Sequence, residues 1–123
     1  MSSRQVGTEA EKAVGNILLR QGWRVIGTNF QTRNGEIDLI AEEGQALVFV
    51  EVKSALRPSP LLAGKVNAIK QKRLILAASR YLQEIDTTHY NEIRFDVITV
   101  VKNNLGNWSI NHIRNAFEVE GEL

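Results

Sequence analysis

The chain contains no cysteine. That excludes a disulfide framework and any thiolate zinc site, and it fits a cytosolic protein. No apolar run approaches the ~20 residues needed to span a bilayer, so no membrane partner is expected. The opening residues, MSSRQVGTEAEK, lack the apolar core of a secretory signal, and the expected location is cytoplasmic. Histidine is scarce: His89 and His112 stand alone and match no metal-ligand spacing. No glycine-rich phosphate loop is present, which argues against nucleotide hydrolysis. There is no internal repeat, low-complexity tract or linker. The net charge is only +1.

What is present starts with size. The 123 residues, 43% of them hydrophobic, are enough for one domain, residues 1–123, with a substantial core. The charge is unevenly spread. Residues 52 to 83 hold seven basic side chains and no acidic one, whereas residues 84 to 123 hold seven acidic and three basic. A basic block inside a neutral chain fits either a polyanion partner or a solvated helix face.

Periodicity predicts a helix over Thr8 to Gln21, with Ala10, Ala13, Val14, Ile17 and Leu18 on one face and Gly22 placed to end it. A short strand is expected at Trp23 to Ile26, followed by the loop TNFQTRN. Strands at Glu36 to Glu42 and Ala46 to Lys53 flank a hairpin turn, EEGQ. The segment SALRPSPLLAGK reads as a loop and carries both prolines. A second helix is expected over Val66 to Gln83, with Leu74, Ala77, Ala78, Tyr81 and Leu82 as its apolar stripe and Lys65, Lys72, Arg73 and Arg80 roughly opposite. Strands at 94–102 and WSINHI complete the order α-β-β-β-α-β(-β), a mixed α/β fold with helices packed on a mixed sheet.

The hairpin GEIDLIAEEGQALVFVEVK poses the functional question. Strand alternation puts Ile37, Leu39 and Ala41 on one face, and Val48, Val50 and Val52 on one face of the next strand. If these aliphatic faces coincide, Glu36, Asp38, Glu51 and Lys53 gather on the other. One allowed register sets Asp38 directly across from Glu51 and Glu36 across from Lys53. Adjacent carboxylates repel unless something compensates, and a hard divalent cation such as Mg²⁺ would. A lysine on the same face would orient water or neutralise charge developing on a phosphorus centre. The competing interpretation is a charged, solvent-facing strand edge.

GEIDLI followed by LVFVEVK, with GTEAE, QGWRVIGTNF, KQKRLILAASRYL and RFDVITV around it, resembles the uncharacterised bacterial YraN-type family. That family is similar to archaeal Holliday-junction resolvases and to the restriction-endonuclease-like PD-(D/E)xK nucleases. The resemblance spans nearly the whole chain. It implies a restriction-endonuclease-like core and a Mg²⁺- or Mn²⁺-dependent endonuclease that hydrolyses phosphodiester bonds in DNA, working as a homodimer on branched DNA. It matches Asp38 and Glu51 to metal ligands, Glu11 to a further ligand and Lys53 to the catalytic cation. Ile37 stands where the superfamily pattern has proline, a position with no ligand role. The alternative is a non-catalytic nucleic-acid-binding module or assembly factor on the same fold.

The surrounding residues carry two readings each. Glu11 is also the fourth residue of a capping box begun by Thr8. Glu36 is an accessory ligand or an ion-pair partner of Lys53. Arg33, Lys65, Lys72 and Arg73 are candidate phosphate contacts or solvated cations. Asp96, within an apolar strand, is expected to pair with Arg94 or a nearby base. Trp23, Phe30 and Trp108 are expected to pack in the core.

Overall fold

In the computed structural model the structure describes residues 3–55 and 67–119, with side chains described from residue 9 to 54 and from 67 to 119. Helix α1 spans Ser3–Arg20. Strands β1 (Arg24–Gln31), β2 (Glu36–Glu43) and β3 (Ala46–Ala55) follow, then helix α2 (Ala68–Gln83) and strands β4 (Glu92–Lys102) and β5 (Trp108–Ile113). The strands form one sheet in sequence order, β1 to β5. Only β3 and β4 run parallel, joined by the crossover that contains α2; the other neighbours are antiparallel. The mixed α/β architecture and the element order are those expected from the sequence. No helix among the described residues is long and apolar enough to cross a membrane.

Each helix covers one face. Ala10, Val14 and Leu18 of α1 pack on Leu39, Ala41, Val48, Val50, Ile98 and Val100. Leu74, Ala77 and Ala78 of α2 pack on Ile37, Ile40, Leu47, Phe49, Phe95 and Val97. Strand β3 is therefore buried on both sides, which is why LVFV has no polar residue to interrupt it.

Local chemistry sets the element ends. Gly22 takes φ +91° after α1, and the Trp23 N–H reaches the Leu18 carbonyl at 3.0 Å, closing the helix with a left-handed glycine. The hairpin turn is Gly44–Gln45, with φ +59° at Gly44. Asn67 caps α2 by accepting from the Lys70 N–H at 2.9 Å.

Four expectations are revised. Helix α1 begins by Ser3, so Thr8 lies inside it rather than at its N-cap. Strand β1 runs on to Gln31, so TNFQ is strand rather than loop. Helix α2 starts at Ala68 rather than Val66 because Asn67 takes the extended cap conformation. Ile37 packs under α2 with Ile40, not beside Leu39 under α1.

The last revision has a specific cause. Strands β1 and β2 pair Thr28 with Leu39 and Phe30 with Ile37, leaving Asn29 and Asp38 between them without a paired position. Asn29 adopts φ +50°. On both strands the alternation of faces breaks there: Leu39 lies on the α1 side, while Phe30 and Ile37 lie on the α2 side. Upstream in β1 a bulge between Val25 and Gly27 already shifts the register.

Candidate metal and nucleic-acid site

The break in β2 positions the first carboxylate. The β2–β3 ladder is paired from Glu43↔Ala46 to Leu39↔Val50 and then opens. One step further the same register sets Asp38 across from Glu51. In place of a ladder bond, the Val52 N–H donates to Asp38 Oδ2 at 2.8 Å. Asp38 thus lies edgeways at the point where two strands part, half-buried, rather than squarely on one hairpin face.

Glu51 is buried and alternates with Val50 and Val52, both on the α1 side, so it faces α2. There Lys70 Nζ lies 3.2 Å from Glu51 Oε1. The Asp38 carboxyl is pushed up to about 8 by burial, then by the neighbouring Glu51 charge, against the bond from Val52. A hydrogen bond with Glu51 adds to the rise. Burial and a neighbouring negative charge both disfavour the ionised form of Asp38.

Glu11 reaches the same end of the molecule from α1. Burial raises its pKa, a hydrogen bond from the Asn29 side chain lowers it, and the charges of Glu36 and Glu51 raise it. Glu36 is exposed at the start of β2. Lys53 is held below the usual lysine range by partial burial and by the Lys70 charge, with Glu51 opposing. Glu11, Asp38, Glu51, Lys53 and Lys70 therefore share one electrostatic neighbourhood. Among the described residues, however, no three His, Cys, Asp or Glu side chains converge as a finished metal-binding group. Glu51 is turned to Lys70 and Glu11 to Asn29.

Of the remaining basic candidates, Arg33 and Arg73 lie on either side of Gly35, next to the start of β2. Arg33 is exposed in the turn between β1 and β2, where Thr32 Oγ1 accepts from the Asn34 N–H at 3.3 Å and the Thr32 N–H donates to the Gly35 carbonyl at 2.8 Å. Gly35 is packed so closely on α2 that a Cβ there would lie 1.9 Å from the Arg73 carbonyl oxygen. The turn and helix are thus adjacent, and Arg33 and Arg80 line one cleft between them. Lys72 and Arg73 are exposed on α2. Lys65 lies outside the described residues.

Two contributors escaped the sequence reading. Lys70 was counted only as part of the basic block, yet it sits one turn before Leu74 and two before Ala77, on the sheet-facing stripe. A lysine at a core-facing position next to an acidic strand end was the available signal. Asn29 had been placed in a loop; its left-handed conformation left no sequence mark beyond the residue type.

Away from this end, Asp96 forms the expected pair with Arg94 and more. Arg94 Nε lies 3.0 Å from Asp96 Oδ1, His112 Nε2 lies 2.8 Å from Asp96 Oδ2, and the Asn115 N–H donates at 3.0 Å. Arg94 also pairs with Glu43 and Glu92, and it stands 5.4 Å over the Trp23 ring. Trp23 itself is buried, and Phe30 and Trp108 are packed against the core as expected.

Sequence comparison places this arrangement among relatives. The model of a family described as uncharacterised protein family UPF0102 matches residues 10–100. A UPF0102 protein of Symbiobacterium thermophilum is 41% identical over 116 residues, covering 94% of this chain and 98% of the relative. One from Natranaerobius thermophilus is 39% identical over 122 residues, covering 95% and 100%. Another, from Pelobacter propionicus, is 37% identical and covers 95% and 85%.

Proposed function

The chain belongs to the UPF0102 family, and from its site we propose that it is a metal-dependent endonuclease of the restriction-endonuclease-like, resolvase-like type, hydrolysing DNA phosphodiester bonds. The observation that carries this reading is the register that sets Asp38 across from Glu51 at the opening of the β2–β3 ladder, with Lys53 and Lys70 beside them.

Two neighbouring carboxylates fit a hard divalent ion. Mg²⁺ takes one or two carboxylates and completes its shell with water and phosphate oxygens, so it does not need a third protein ligand already in place. Asp38 and Glu51 would hold it, with Glu11 as a further ligand and Glu36 as an accessory one; Mn²⁺ suits the same oxygens. When bound, the ion supplies a Lewis acid and eases deprotonation of a water. The chain's own residues do the rest. Val52 fixes one oxygen of Asp38 through its N–H. Lys53 would neutralise charge growing on the phosphorus oxygens, and its depressed pKa would make it the more ready proton donor to a leaving oxygen. Arg33, Lys72 and Arg73, with Lys65 beyond the described residues, would contact backbone phosphates on either side. Binding then weakens steeply with salt. A homodimer would give such a small protein two cutting centres.

The test is cleavage of branched and linear DNA by purified protein in Mg²⁺ or Mn²⁺. Cutting that needs both Asp38 and Lys53 is expected. Activity undiminished in Asp38→Ala and Lys53→Ala would overturn the assignment.

A second reading draws on the Lys70–Glu51 contact. A lysine that occupies Glu51 permanently would leave a nucleic-acid-binding module or assembly factor without catalysis. Titration with Mn²⁺ separates the two: a nuclease binds it and Asp38→Asn abolishes the binding, whereas the module binds DNA and no metal.

A further inference from the structure

A cleft of about 420 Å³ opens between α1 and β1 and ends at Glu11. Leu19, Val25 and Leu39 form its apolar walls, and Thr28 and Asn29 its polar side. We propose that this cleft receives one unpaired base of a nucleic-acid strand whose backbone passes the Asp38–Glu51 site. The proposal rests on the nucleic-acid reading of that site and adds the kind of substrate it takes.

The first support is Gly15. It stands in the interior of α1, where glycine costs roughly 1 kcal/mol relative to alanine. Nothing in the protein requires it: a Cβ at this position would meet no heavy atom within 4 Å. Its φ is that of an ordinary helix residue, so conformation does not demand glycine either. Open space against one wall of the cleft is what the glycine preserves.

The second support is the wall chemistry. Leu19 is 57% exposed, an apolar side chain left to water at the mouth of the cleft. A flat ring laid against Leu19 and Val25 would remove that surface from solvent. Asn29 is held by the bulged, irregular β1 with its side chain toward Glu11. An amide presents both a donor and an acceptor, the pairing that a base edge offers once its partner is gone.

The third is size and position. The volume is enough for a base with its sugar. The cleft lies beside Asp38 through Asn29, so a base seated there would hold its adjoining phosphate near the carboxylates. Lys12, at the rim, is placed for a neighbouring phosphate. A stacked duplex keeps its bases inward, and extruding one costs a few kcal/mol. The preferred strand therefore has bases that are already unpaired, as at branch points, flaps or mismatches.

The experiment uses the full chain in EDTA, so that nothing is cut. Oligonucleotides carry 2-aminopurine either at an unpaired position or in a fully matched duplex. The expected result is about ten-fold tighter binding of the unpaired form, equivalent to roughly 1.4 kcal/mol, with a changed fluorescence on binding. Gly15→Leu should fill the cleft and erase that preference while raising the melting temperature. Asn29→Gly, which keeps the left-handed backbone accessible, should also reduce it. Equal affinity for both oligonucleotides with unchanged fluorescence overturns the proposal, and so does an intact preference in both variants. Absence of cleavage with Mn²⁺ on every DNA would sink the nuclease reading but would not produce either of those binding results.

Discussion

Lys70 Nζ stands 3.2 Å from Glu51 Oε1, bringing the first turn of α2 onto the end of β3. The ammonium occupies the carboxylate that a divalent ion would need at the proposed site. Lys70→Ala should therefore tighten Mn²⁺ binding, by about 1 kcal/mol or roughly five-fold for removal of one half-exposed charge. Manganese titration followed by electron paramagnetic resonance measures it. Weaker binding in the variant would show that Lys70 organises the site instead of competing for it.

Asp38 gives the metal-free protein a pH dependence of definite sign. Its pKa is raised from 3.8 to about 8, so the folded chain keeps a proton that the unfolded chain has released. Stability in EDTA should fall as the pH rises from about 4 to about 8 and then level off. Asp38→Asn preserves an acceptor for the Val52 N–H and removes the charge. It should be more stable than the parent at pH 8, by about 1 to 3 kcal/mol, and less dependent on pH across that range. Thermal melts at a series of pH values decide.

Asp96 behaves in the opposite sense. Burial would raise its pKa, but the bonds from His112, Arg94 and Asn115 hold it below the ordinary carboxylate range. A depressed carboxyl contributes stability above its unfolded pKa and loses it as the pH falls through the folded value, so this contribution disappears only in strong acid. Asp96→Ala leaves buried partners uncompensated and should cost about 3 to 5 kcal/mol in urea denaturation at pH 7.

Two glycines should respond oppositely to alanine. Gly35→Ala drives a Cβ into the Arg73 carbonyl and should destabilise by about 4 kcal/mol or more. Gly15→Ala meets open space and should stabilise by up to about 1 kcal/mol. Denaturation midpoints of the two variants should move in opposite directions.

The architecture was legible because burial speaks through periodicity. LVFV and ITVV read as strands, and the helix stripes named the residues that cover them. Asp38, Glu51 and Lys53 were legible as neighbours because the aliphatic pattern permits pairing of one parity, and the observed β2–β3 register is one of the allowed ones. What parity could not show was Ile37. Asn29, next to Ile37's β1 partner Phe30, leaves the regular backbone, and two strands change phase together at a position where neither carries a glycine or proline. Lys70 stayed hidden for another reason. The basic block offered many lysines, and only the helix phase relative to Leu74 distinguishes the one aimed inward.

The paired irregularity at Asn29 and Asp38 amounts to one surplus residue on each of two adjacent strands. If both were excised together, Thr28 would be followed by Phe30 and Ile37 by Leu39, and every flanking side chain would already lie on its proper side. Excising either alone would throw the outer part of that strand out of phase with its neighbour. The apolar packing of the framework does not depend on these two positions; what Asp38 gives the sheet is an acceptor for the Val52 N–H where the ladder has opened.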